Sequence, residues 1–128
     1  MRVLLDTHTF LWWNAADERL SDDARAIITD GRTEVLVSVA SIWEVATKVA
    51  MGRLDIPDEV GRYVADRLER NHWSALPIAV EHAVRAATPP RIHLDPFDRM
   101  LVAQAQLEAV PILTTDAALT RYDVETIW

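Results

Sequence analysis

The chain has 128 residues, half of them hydrophobic, with only three glycines and no cysteine. This suits one compact domain over residues 1–128 rather than a disordered or linker-rich chain, and it excludes disulfides, thiolate metal sites and cysteine nucleophiles. The formal charge of −7, from 13 basic and 20 acidic residues, argues against a protein that coats nucleic acid by electrostatics alone.

Residues 1–13 are apolar, but Asp6 and His8 interrupt them and no small-residue cleavage site follows. No apolar run approaches membrane-spanning length, so the expectation is a cytoplasmic protein without membrane contact. Residues 2–5 (RVLL) predict a buried strand that stops at Asp6. Residues 7–15 predict a helix with Phe10, Leu11, Trp12 and Trp13 turned inward and His8 packed or hydrogen-bonded at the strand end. Ser21 caps a helix over 21–30 that Gly31 ends, and residues 34–39 (EVLVSV) form a second strand. Ser41 opens the next helix. Glu44 lies three residues on, the spacing of a capping box, and Lys48, the only lysine, four beyond that, as in a modest surface pair.

After a turn at GRLDIP, Pro57 and Asp58 launch an amphipathic helix to about Asn71. Residues 73–78 predict a short strand, and 81–87 a short helix stopped by Pro89 and Pro90. The stretch 93–106, HLDPFDRMLVAQAQ, sets Asp95 as N-cap, Pro96 at the first helical position and Asp98 three residues after the cap. The helix over 97–109 is apolar on almost every side, which predicts burial with its carboxylates at a rim. Residues 110–113 (VPIL) form a strand running into Thr114, Thr115 and Asp116; a short helix and an edge strand at 124–127 close the chain. Strands alternating with helices predict an α/β sandwich with a mostly parallel sheet.

Two apolar strands each end in a carboxylate, Asp6 and Asp116. Parallel sheets bind ligands beyond the carboxyl ends of their strands. Asp98 and Glu44 stand near the N-termini of helices that commonly face the same edge, so four carboxylates can meet in one cleft. Two like charges about 4 Å apart repel by ~4 kcal/mol at an effective dielectric of ~20. Either some of these groups are protonated or a hard divalent cation sits among them. Oxygen donors without clustered histidine or cysteine suit Mg²⁺ or Mn²⁺ rather than zinc. The chemistry that follows is in-line attack on phosphorus by a metal-activated water.

With these residues in view, the chain resembles the PIN-domain ribonucleases of the VapC toxin type. LLDTHTFLWW, SVASIWEVATK with the following GRL, HLDPFDRMLVAQA and PILTTD match that family's pattern in order and spacing. The resemblance implies a three-layer α/β/α fold, Mg²⁺- or Mn²⁺-dependent RNA cleavage, a homodimer and control by a VapB-type antitoxin. By position, the family's acidic site falls on Asp6, Glu44, Asp98 and Asp116. Asp6 and Asp98 would be the principal metal ligands, with Glu44 and Asp116 completing the site. Asp95 would serve as cap and outer support, and Thr7 and Thr114 as hydroxyls supporting carboxylates. His93 could protonate the leaving oxygen or touch phosphate. Lys48 and Arg99 could line an RNA path or be ion-paired. The family often carries Arg just before DPFD; here Leu94 stands there, and Arg91 could substitute.

The rival from another class is a non-catalytic RNA- or protein-binding module that retains the acidic pocket. A phosphoacceptor receiver domain would need a lysine after a late strand, and Lys48 is early. An aspartyl phosphatase would need D-x-D after the first strand, where this chain has Asp6-Thr7-His8.

Overall fold

The computed structural model describes residues 1–88 and 95–128; Pro89, Pro90, Arg91, His93 and Leu94 lie outside the described residues. Five strands form one parallel sheet in the order β3-β2-β1-β4-β5: β1 Arg2–Leu5, β2 Glu34–Ser38, β3 Ser74–Leu76, β4 Ile112–Leu113 and β5 Thr126–Ile127. The first strand is central, pairing Leu4 with both Leu36 and Ile112. Among the described residues six helices connect and cover the sheet: α1 Thr7–Asn14, α2 Asp22–Thr29, α3 Val39–Ala50, α4 Val60–Asn71, α5 Val80–Ala87 and α6 Pro96–Glu108.

Side chains alternate across a strand, and here both faces are dry. Val3, Leu5, Val35 and Val37 pack on one side with Phe10, Ala24, Tyr63 and Trp73 from or beside the helices. Leu4, Leu36, Leu76 and Ile112 pack on the other with Leu101, Val102 and Ala105 of α6. The result is a three-layer α/β/α sandwich, as the resemblance implies. Among the described residues no helix is long and apolar enough to cross a membrane.

Three local expectations change. The cap of α3 is Ser38, whose hydroxyl accepts from the Ala40 amide; Ser41 lies inside the helix, buried and, among the described residues, without a hydrogen-bond partner. β2 therefore stops one residue earlier than its β-branched run, because the chain turns into the helix at the strand's last residue. The cap of α4 is Glu59, not Asp58: its carboxylate accepts from the Gly61 and Arg62 amides. Gly31 is not a left-handed helix terminator, since α2 ends in the extended residue Asp30. The left-handed C-caps are His72 and Ala109, which no glycine signal marks.

Candidate active site

Asp6 follows the central strand directly, where its backbone N–H donates to the Leu113 carbonyl at the end of β4. Its side chain caps α1: Oδ1 accepts from the Thr9 amide at 2.7 Å. Oδ2 accepts from the Thr114 hydroxyl at 2.5 Å, and Thr114 Oγ1 in turn accepts from the Asp116 amide at 3.0 Å. The Thr9 hydroxyl donates to the Leu113 carbonyl, closing the clamp between the two strand ends. Asp6 is 4% exposed, yet among the described residues every donor it meets is neutral.

Glu44 stands in the second turn of α3, 5% exposed. Its oxygens are divided between two partners: the Thr7 hydroxyl donates to Oε1 at 2.6 Å, and the Lys48 ammonium to Oε2 at 2.7 Å. The capping-box reading of Glu44 is thus replaced by a link to α1. The i, i+4 pair with Lys48 exists, but its acid is buried rather than on the surface.

Asp95 caps α6, accepting from the Phe97 amide, and Asp98 is half-buried in the first turn of the same helix. Asp116 Oδ1 accepts from the Ala118 amide and starts the tight turn into the 3-10 segment Leu119–Arg121. A cleft of about 190 Å³ is lined by Asp6, Glu44, Asp95, Asp98 and Asp116, with Thr7, His8 and Lys48. All four of the carboxylates singled out in the sequence share it. The N-termini of α1 and α6 open on the same cleft, and their partial positive charge offsets some of the repulsion among the acids.

Five carboxylates face one lysine there. Among the described residues no set of three or more carboxylates or imidazoles is arranged to hold a metal ion by itself. The donor chemistry nevertheless fits a hard divalent cation. Mg²⁺ is usually held by one or two carboxylates, with water and substrate phosphate filling the other positions. Asp6 is buried and, among the described residues, met only by neutral donors, so a positive neighbour would stabilise it.

The other candidates separate. Thr7 and Thr114 each hold a cleft carboxylate, as described. His8 is exposed, with its ring tilted against that of Trp12 at 5.7 Å. Arg99 turns away from the cleft and donates to the Ala86 carbonyl on α5. His93 and Arg91 lie outside the described residues. The sequence reading had no place for Thr9, which fixes Asp6 through its amide and β4 through its hydroxyl; a Thr two residues after D-T is too ordinary a signal to find it.

Two further concavities flank the cleft. A groove of about 500 Å³ between α1, the 52–57 loop and α4 shares His8 and Lys48 with it. It is floored by Leu11, Trp12, Ile56 and Tyr63, and its rim carries four cations against two carboxylates. Elsewhere an apolar pocket of about 310 Å³ lies between α3, α5 and α6, where Trp43 meets Phe97 edge-on at 5.1 Å. Trp43 is 62% exposed there, and Val80 and Val84 of α5 are also exposed.

The family description "PIN domain" matches residues 3–125. Ribonuclease VapC16 of Mycobacterium tuberculosis is 42% identical over 69 residues, which make up 51% of this chain and 48% of that protein. The match therefore spans about half the length of that relative. Ribonuclease VapC22 of the same organism is 29% identical over 117 residues, 91% of this chain and 88% of that one. Among solved structures, that of VapBC2 from Rickettsia felis, bound to a DNA fragment from their promoter, superposes with a TM-score of 0.73 over 100% of this chain and 99% of the other. At 11% identity that likeness speaks to the fold.

Proposed function

Because this chain belongs to the PIN-domain family, we propose that it is a Mg²⁺- or Mn²⁺-dependent endoribonuclease acting as the toxin of a toxin–antitoxin pair, with residues 1–128 as one nuclease unit. The observation that carries the reading is the shared cleft, where five carboxylates from four separate stretches of the chain surround about 190 Å³. The likeness to two proteins named ribonuclease supports the same activity.

Asp6 and Asp98 would hold the cation. When bound, that cation lowers the pKa of water and offsets charge on phosphate. Asp6 is pre-set for this role by its capping bond and by Thr114, which fix its rotamer before any ligand arrives. Asp116, tied to the same threonine through its amide, orients the attacking water beside Asp6. Glu44 closes the far wall under its Thr7 bond. The low exposure of Asp6 and Glu44 keeps bulk water off the reacting phosphate, which strengthens charge interactions there.

A VapB-type antitoxin would seat an apolar segment in the groove between α1 and α4. That groove offers an apolar floor, and its His8 and Lys48 wall is also the cleft's, so an occupant obstructs the approach of RNA. A homodimer would bury the exposed face around Trp43, Val80 and Val84, since an apolar cluster of this kind commonly marks an interface.

The test is cleavage of a long single-stranded RNA by purified protein with Mg²⁺, with Mn²⁺ and with chelator. Wild type should cut only with a divalent ion, and Asp98→Asn should reduce the rate by at least 100-fold while its circular dichroism is unchanged. A folded wild type that binds RNA or an antitoxin without cutting would favour the non-catalytic binding module instead.

A further inference from the structure

Two carboxylates in the cleft are almost fully buried, and their charges are met differently. Asp6 is held by a backbone amide and a hydroxyl, both neutral. Glu44 is held by a hydroxyl and by the Lys48 ammonium, 2.7 Å from Oε2. A buried charge met only by neutral dipoles still lacks a counter-charge, whereas one in a close ion pair has it. Lys48 is the only lysine of the chain and the only cationic side chain lining the cleft among the described residues. Its stem leaves α3 one turn after Glu44, so the pair is set by the helix itself and needs no ligand to form.

We infer that Lys48 is the resident cation of the cleft: it neutralises Glu44, withdraws that carboxylate from metal binding, and so limits the site to one divalent ion on the Asp6 side. This rests on the metal-dependent reading above and deepens it by assigning stoichiometry. Glu44 then shapes and closes the cleft without being a ligand, and Lys48 is a positioning residue rather than a grip on RNA. With Lys48 removed, Glu44 becomes a second buried acid with only a neutral donor, in the same position as Asp6. The cleft then holds two buried carboxylates with only neutral donors among the described residues, and takes a second ion.

The experiment counts bound Mn²⁺ by electron paramagnetic resonance titration of the full chain, without RNA, beside a thermal melt of each sample. Wild type should bind one ion. Lys48→Met, which keeps an apolar stem but no charge, should bind two, and Lys48→Arg should return to one. Glu44→Gln should still bind one ion with affinity within about threefold of wild type, whereas Asp6→Asn should lose it. Two ions in wild type, one in Lys48→Met at wild-type affinity, or loss of binding in Glu44→Gln would each overturn the inference while leaving metal-dependent cleavage standing. No Mn²⁺ in wild type would overturn both. If Lys48→Met fails to fold, the wild-type, Lys48→Arg and Glu44→Gln counts still decide.

Discussion

The hydroxyl of Thr114 donates to Asp6 Oδ2 across 108 positions of sequence, joining the ends of the two adjacent strands β1 and β4. The same oxygen accepts from the Asp116 amide, so one small side chain sets the distance between two acids of the cleft. Thr114→Val keeps the shape and removes both bonds. It should destabilise the fold by about 1–3 kcal/mol, the usual cost of stranding buried polar groups. Thr114→Ser should recover most of that in urea unfolding. Equal midpoints for Thr114→Val and wild type would mean that the bond contributes nothing.

Millimolar Mg²⁺ should raise the melting temperature at neutral pH. At a hundredfold excess over Kd, linkage gives about 2.7 kcal/mol, or a shift on the order of 10 °C for a domain of this size. Chelator should reverse it. Asp6→Asn should retain the α1 cap, because asparagine caps nearly as well as aspartate, yet lose most of the Mg²⁺-induced shift. Wild type with a melting curve indifferent to magnesium would remove the case for a cation among these acids.

Trp43→Glu places a charge on the exposed face of α3 beside Phe97. If that face joins two copies, the variant should move from dimer to monomer in light scattering without loss of helix signal. A dimer that persists unchanged would direct attention to another surface.

Gln104 is fully buried on α6; its carbonyl accepts from the Ser38 hydroxyl and its amide donates to the Pro77 carbonyl. It thereby pins the start of α3, and with it Glu44, to α6. Gln104→Leu should cost about 1–3 kcal/mol for each polar group left unpaired, read as a lower denaturant midpoint at unchanged slope. A midpoint equal to wild type would show that the pair is replaced by water.

Glu59 caps α4 through two amides, Gly61 first and Arg62 second, and these hold its carboxyl below the usual range. A lowered folded value means the cap stabilises above the unfolded pKa and that its contribution fades as pH falls through the folded one. Glu59→Ala should therefore be less stable than wild type at pH 7, and the difference should vanish in strong acid. A difference that is independent of pH would rule out the charged cap as its source.

Much of the fold was legible because its signals are local. RVLL reads as a strand, VPIL contains β4 in its last two residues, and Asp95-Pro96 marks the start of α6. Asp6 and Asp116 were legible as cleft-lining residues for the same reason: each follows an apolar strand of a parallel sheet, Asp6 directly and Asp116 three residues on, and so stands at the carboxyl edge. What local pattern misread was Glu44. Serine three residues before glutamate matches a capping box, but the helix had already begun at Ser38, so Glu44 was free to turn inward to Thr7, 37 positions earlier. Such partners depend on which helix faces which, and Thr114 with Asp6 depends on the register of β1 against β4. Arg99 shows the converse: it could have lined an RNA path, but neighbours on a helix point about 100° apart, and next to Asp98 it reaches α5 instead.

The central strand precedes β4, its neighbour in the sheet, by more than a hundred residues, and Thr114 follows β4 directly. On the ribosome Asp6 therefore has neither its threonine partner nor its neighbour Asp116 until the residues after β4 have emerged. A chain cut short just before β4 would lack Thr114 and Asp116, leaving Asp6 with its α1 cap alone and the cleft without one wall.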